Sequence, residues 1–385
     1  MKQIELVLQN DGARRNVIFP CTEAEYRAIC KELFLKDNYA FVRETITPKA
    51  FGFKEDTFVN LDEINYLAKR MDSFDGKETK CFLAAVETGK YRSTKDLINL
   101  TFNLNCYTLI GDVSDLKEVG YNRILSSKIC IAKDELEKID LEKVGRDLLS
   151  TGKGIPTHHG LLFENENAQF EEVYTGRGFP AYYYAWNILL GAAIEKGGET
   201  DYLYFPCEET EIERALKRIG AERMEECEKT VDFVAGGVEW EKCFDKLLQE
   251  NDTESVNAIA KAICRLGMSA DGIEESLYKL SAVAEYAGVG LEETGKVILL
   301  AQQLDEFGYY REIGDDETLG RTLKEQEFCD IPESMDKYMD YGGYARDFLE
   351  GNGGRYTKAG DAVYLKGEAT LSEILDESDI KMGGI

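Results

Sequence analysis

The phrase Phe19-Pro20-Cys21 returns as Phe205-Pro206-Cys207 in a chain that holds only 6 prolines and 10 cysteines. Further downstream, Leu97, Leu100 and Leu104 have counterparts in Val297, Leu300 and Leu304. Asp140, Arg146, Asp147 and Gly160 likewise reappear as Asp340, Arg346, Asp347 and Gly360. The first correspondence has an offset of 186 and the other two share one of 200. Three matches in the same order read as a tandem duplication, so one folding problem is solved twice. The seam falls at Asn165 to Ala168. A chain of 385 residues suits this plan, because single cores stop growing near roughly 250 residues.

Within the first copy, Ile4, Leu6 and Leu8 alternate with Glu5 and Val7, the period of a half-buried strand. Asp11-Gly12 marks a hairpin turn, and Arg14 to Phe19 forms the returning strand, ended by Pro20. Thr22 followed by Glu25 is a capping box, which predicts a helix running to about Phe34. An extended stretch near Tyr39 to Ile46 completes a β-β-α-β unit. Leu61, Ile64, Leu67, Ala68 and Met71 then lie on one face of a helix. A short helix is predicted over Cys81 to Val86, and Ser93 to Asp96 caps another. A helix over the 140s closes at Gly152 and Gly154 and leads into an extended run. In the second copy, the apolar stretch from Tyr182 to Ile194 reads as an added packed helix before a strand at Asp201 to Phe205.

The predicted class is α+β, an elongated multi-domain tandem duplication. Residues 1–57 form the first β-β-α-β unit, 58–112 a helical unit and 113–165 a small α+β unit. The second copy repeats them over 166–235, 236–312 and 313–385, the last being the expected dimerisation unit.

No segment offers the ~18 uncharged apolar residues of a membrane span, and Glu5 interrupts the first apolar run, so the expected location is the cytoplasm. The cysteines form no C-x-x-C pair and read mainly as small buried hydrophobes. His158 and His159 lack the spaced partners of a zinc set. A Cys–His nucleophile using either histidine is an unspecific alternative with so many cysteines. The glycine loops after the two later helices miss the phosphate-loop spacing and suit helix ends better. No hydrolase or zinc-protease motif occurs. Neither catalysis nor a cofactor nor a metal is expected. Arg146-Asp147 and Arg346-Asp347 read as repeated ion pairs or caps rather than catalytic pairs.

Charge separates the copies. Of the net −27, about −2 lies before Glu166 and about −25 after it. Glu208, Glu209, Glu211 and Glu213, then Glu222, Glu225, Glu226 and Glu228, recur at short helical spacings. Asp305, Glu306, Asp315, Asp316 and Glu317 extend the acidic set, and Ser372 to Asp379 adds more acids. Like charges three or four apart weaken a helix unless a cation relieves them. Such a field repels nucleic acid and attracts a basic groove, so direct nucleic-acid binding is not expected.

The C-terminal residues Ile331, Pro332, Ser334, Tyr338, Asp340, Tyr344, Ala345, Arg346 and Asp347 resemble the closing segment of the ArdA antirestriction family. Phe19-Pro20 and Phe205-Pro206, each before an acidic helix, are similar to that family's early motif. The resemblance implies an elongated, dimeric DNA mimic that blocks type I restriction–modification enzymes by filling their DNA groove. Under it, the carboxylates above form the mimicking surface, and Tyr338, Tyr341, Tyr344, Arg346 and Asp347 serve the dimer interface or the packing behind it. The chain departs from the family in its double length and nearly neutral first copy. Alternative readings are an inhibitor of another nucleic-acid-binding defence system, such as a CRISPR effector, and a structural interaction module.

Overall fold

A computed structural model describes residues 3–53, 57–126, 136, 138–166, 168–182, 187–267, 270–326, 333–367 and 369–376; the side chains of 270, 271 and 333–335 lie outside that set. The chain is α+β and divides into two compact units, Met1–Tyr184 and Ala185–Ile385.

The first unit opens with β1 (Ile4–Asn10) and β2 (Ala13–Phe19), joined through Asp11 and Gly12. Both turn residues have positive φ, 45° and 84°, as a tight hairpin matched to strand twist requires. The Phe19–Pro20 bond is cis. Helix α1 (Glu23–Glu32) starts at the expected capping box, where the Thr22 amide donates to Glu25 Oε2 at 2.8 Å and the Glu25 amide to Thr22 Oγ1 at 3.3 Å. Strands β3 (Tyr39–Thr47) and β4 (Thr57–Asn60) complete a sheet in the order β2-β1-β3-β4. Its inner face buries Ile4, Leu6, Leu8, Val17, Phe19, Ala40 and Val42.

Helices α2 (Leu61–Asp72), α3 (Gly76–Glu87) and α4 (Thr94–Phe102) follow. A second sheet comes next, with β5 (Tyr107–Ile110), β6 (Ile155–Thr157) and β7 (Gly160–Glu164) in the order β5-β7-β6. Between β5 and β6 run α5 (Leu116–Leu125) and α6 (Leu141–Ser150). These two helices cross at Gly120 and Gly145, where a Cβ on either would collide with a carbonyl of the other helix, Leu141 or Leu116.

The second unit repeats this layout. Strands β8 (Leu190–Lys196), β9 (Glu199–Phe205) and β10 (Glu228–Val234) form a sheet ordered β9-β8-β10, the counterpart of β2-β1-β3. Gly197 and Gly198, φ 62° and 85°, replace the Asp-Gly turn, and the Phe205–Pro206 bond is again cis. Helix α7 (Glu209–Arg218) matches α1. An added helix α8 (Val238–Gln249) stands where the first unit has β4, and its Trp240, Phe244, Leu247 and Leu248 enter the core. Then come α9 (Thr253–Leu266), α10 (Ala270–Ala287), α11 (Thr294–Gln302), β11 (Phe307–Tyr310), α12 (Asp316–Glu325), α13 (Tyr341–Gly351), β12 (Arg355–Tyr356) and β13 (Ala362–Leu365), closed by a short α14 (Leu371–Ile374). The second sheet runs β11-β13-β12. At the crossing of α12 and α13, Gly320 faces the Tyr341 carbonyl, while a fully buried Ala345 takes the place of Gly145.

One expectation fails here. The run from Tyr182 to Ile194 is not an added helix, because Leu190–Lys196 is β8, bonded to β9 on one side and β10 on the other. Its outward positions before Glu195 are the small residues Gly191 and Ala193, so no polar alternation separates this strand from a buried helix segment. Residues 183–186 of that run lie outside the described set.

Residues following the expected seam fold back on the first unit. Asn99 on α4 and Asn103, the residue that caps its C-terminal end, lie one turn apart, and each brackets a backbone amide unit of this strap. Tyr174 N donates to Asn99 Oδ1 and Asn99 Nδ2 to Tyr174 O, both at 2.8 Å. Glu171 N donates to Asn103 Oδ1 at 2.9 Å and Asn103 Nδ2 to Glu171 O at 2.8 Å. Further on, Phe179 stacks on Tyr66 with centroids 4.5 Å apart, and the Tyr66 hydroxyl donates to Pro180 O at 2.8 Å.

Candidate functional site

The acidic set begins at a reused corner. In both units the amide of the cysteine after the cis-proline donates to an asparagine one helix away, Cys21 to Asn65 at 2.9 Å and Cys207 to Asn257 at 2.8 Å. That contact fixes the start of α1 and of α7. The difference lies in the cap itself, since Glu208 stands where the first unit has Thr22. Its amide donates to Glu211 Oε2 at 2.9 Å, so one carboxylate of the cluster holds the helix start.

Glu208, Glu209 and Glu213 are exposed, as are Glu222, Glu225 and Glu228 beyond the helix; Glu211 is half-buried. Glu228 opens β10 and pairs directly with Glu195 of β8, placing two carboxylates side by side across the ladder. Like charges directly opposite one another destabilise a sheet. Glu226 differs, because the Lys196 ammonium lies 2.6 Å away and also donates to Gly220 O at 2.9 Å. Lys196 and the Glu222 amide hold the Glu226 carboxyl below its usual range. That acid ties a loop to the end of β8 and is internally neutralised.

The later acids divide in the same way. Asp305 and Glu306 are exposed on a single turn before β11. Asp315 caps α12, accepting from the Thr318 amide at 2.8 Å, and the amide and hydroxyl of Thr318 keep its carboxyl low. Asp316 accepts from Arg346 Nη1 and from the Tyr356 hydroxyl, each at 3.0 Å. Glu317 pairs with Arg321 at 2.7 Å. Glu226, Asp316 and Glu317 are thus matched by the protein's own bases. Among the described residues, no cation lies within ion-pair distance of Glu208, Glu209, Glu211, Glu213, Glu222, Glu225, Glu228, Asp305 or Glu306.

The start of α7 and the face of α9 also line an open cleft of about 760 Å³, bordered by Glu208, Glu209, Ile212, Asn257, Lys261 and Arg265. Its floor contains Ala258 and Ala262. The aromatic and basic residues of the last segment have separate roles. Tyr338 is 72% exposed with the Lys337 ammonium 4.8 Å from its ring centre, whereas Tyr341 is 1% exposed. Tyr341 sits under the Arg321 guanidinium at 4.6 Å and donates its hydroxyl to Asp336, which makes it a packing residue. Tyr344 is half-buried on the α12–α13 cluster, Arg346 is held by Asp316, and Asp347 is exposed. Ile331 and Pro332 lie outside the described residues.

Burial pushes the Cys21 and Cys81 thiols up to about 12 and Cys264 up to about 11; it raises Cys207 as well. Such thiols are protonated at neutral pH, the opposite of what a nucleophile needs. Both histidines turn to Glu87: His158 Nδ1 is 3.1 Å and His159 Nε2 3.6 Å from its carboxylate. Among the described residues no group of histidine, cysteine and acidic side chains is arranged to hold a metal, and no helix is long and apolar enough to cross a membrane. Sequence reasoning missed the Asn99–Asn103 clamp, although two amides one turn apart in an apolar helix are a legible signal. No protein-family model matches the chain, and no curated protein matches it either.

Proposed function

We propose that the chain is a non-enzymatic DNA mimic of the ArdA type that inhibits a type I restriction–modification enzyme by occupying its DNA-binding groove. The observation that carries this reading is the uneven neutralisation of acids in the second unit. Some carboxylates are matched by its own bases, while Glu208, Glu209, Glu213, Glu222, Glu225 and Glu228 stay exposed around α7 and the start of β10. Sustained repulsion of this kind is relieved by a cationic partner. Duplex DNA carries one charge per about 1.7 Å of axis, so the excess of about 25 corresponds to roughly 40 Å, or some 12 base pairs. The partner is a cytoplasmic enzyme with a basic groove, met by a homodimer of this chain.

Exposed Tyr338 fits the dimer role, and the Arg346–Asp316 pair sets the helices behind it. The test is displacement of labelled DNA from a purified type I enzyme. Lysine substitutions at Glu208, Glu211, Glu222 and Glu225 should weaken displacement by tenfold or more, and added salt should weaken it in the unaltered protein. Insensitivity to both would leave the acids as a solvated face.

A further inference from the structure

The groove that holds the strap in the first unit has an open counterpart in the second. Asn65 of α2 and Asn257 of α9 accept from equivalent cysteine amides, which aligns the two helices at an offset of 192. At that offset the inner faces agree, with Ile64 and Leu67 matching Val256 and Ile259, all fully buried. The outer faces differ at two positions. Tyr66 lies 4.5 Å from Phe179 and 4.8 Å from Tyr182, ring centre to ring centre, but its counterpart is Ala258. Arg70 likewise becomes Ala262. These two alanines line the cleft of about 760 Å³ beside α7, so short side chains leave room where the first unit packs a ring against its strap.

Chain order points to what fills it. The strap follows β7, and the residues after β13 hold the same place in the second copy. At the offset of 200 that relates the later parts of the units, Tyr174 corresponds to Ile374, and both are deeply buried, 2% and 1% exposed. Tyr174 is bracketed by Asn99 of α4, and Ile374 belongs to the same core cluster as Val297 and Leu300 of α11, the counterpart of α4. The strap runs from Tyr174 on α4 to Phe179 on α2, and an equal length beyond Ile374 ends at Asp379. Residues 377–382, which lie outside the described set, read Glu-Ser-Asp-Ile-Lys-Met. Ile380 and Met382 stand at the positions of Pro180 and Tyr182, the strap residues that meet Tyr66.

Charge agrees with that occupant. Lys261 and Arg265, exposed and one turn apart on α9, border the cleft, and no described carboxylate lies within ion-pair distance of either. Arg265 Nη2 donates to Gln302 O at 3.0 Å. Glu377 and Asp379 complement this basic wall, while Lys381 complements Glu208 and Glu209 on the opposite one. A segment tethered a few residues from its site acts at an effective concentration on the order of millimolar, which favours the chain's own residues over a free peptide.

We propose that residues 377–382 of the same chain occupy this cleft as the strap of the second unit, with Ile380 and Met382 against Ala258 and Ala262 and the two acids toward Lys261 and Arg265. The inference is independent of DNA mimicry, because the cleft and the segment that fills it are both read within this chain.

The experiment is methyl NMR of the full chain, labelled at the methyl groups of methionine, isoleucine and alanine. A nuclear Overhauser effect is expected from the Met382 or Ile380 methyl to Ala258 or Ala262, and it should persist when labelled chain is diluted into a large excess of unlabelled chain. The double variant Lys261→Glu and Arg265→Glu should lose it. Both positions are exposed, and circular dichroism with thermal melting confirms that the variant is folded. Absence of the effect in the unaltered chain overturns the proposal. So does its disappearance on isotopic dilution, which would put the segment of a second copy in the cleft, and so does its survival in the double variant.

Discussion

Single residues show which repeated features are structural. Asn65 and Asn257 accept from equivalent cysteine amides, so the recurring Phe-Pro-Cys phrase marks a corner between sheet and helix. Asn257→Ala strands the Cys207 amide and should cost about 1–3 kcal/mol in urea unfolding, with Asn257→Asp losing less. Gly320 sets a second, sharper requirement. A methyl there meets the Tyr341 carbonyl, so Gly320→Ala should destabilise by about 1–3 kcal/mol, while Gly351→Ala, with nothing within 4 Å, should leave thermal stability unchanged or slightly higher. The capping boxes at Thr22–Glu25 and Ser93–Asp96 were legible in the sequence because each is complete within four residues. Which acids carry their own cation was not legible, since Glu226 finds Lys196 and Asp316 finds Arg346 thirty positions away.

Among elements, the strap after β7 is the feature that sequence spacing could not place. Its partners Asn103 and Asn99 lie 68 and 75 residues away, and nothing local in the strap marks it as bound. The repeat order, the first hairpin and the helices from α2 to α4 were readable, because each carries its period and caps within a short window. Strand β8 was misread because Gly191 and Ala193 at its outward positions remove the polar alternation that identifies a strand. Asn99→Ala and Asn103→Ala should free the strap, seen as lost hydrogen-exchange protection of the Tyr174 and Glu171 amides. The fold should also respond to pH. Burial raises the Glu63 carboxyl above its ordinary value of 4.5, against the lowering effect of the Tyr174 hydroxyl that donates to it at 2.8 Å. A raised folded value means that the stabilisation is fully present below the unfolded value and is lost as pH rises through the folded one. Stability in urea should therefore lose this contribution as pH climbs above about 4.5, and Glu63→Gln, which keeps an acceptor without the charge, should flatten that dependence.

The whole molecule pairs two units of one plan with different surfaces. The hairpin, the cysteine–asparagine corner and the helix crossing recur in both, while solvent-facing residues of the opening sheets diverge. The first unit carries aromatic rings on the outward face of its opening sheet, and the second carries carboxylates at the matching row and around α7. This divergence is the basis for the proposal that the second unit mimics DNA. The most direct test is competition between the full-length protein and labelled DNA for a purified type I restriction–modification enzyme. The account predicts that excess protein displaces the DNA, that salt weakens displacement, and that lysine at Glu208, Glu211, Glu222 and Glu225 reduces it by tenfold or more. DNA binding undiminished at excess protein would contradict it.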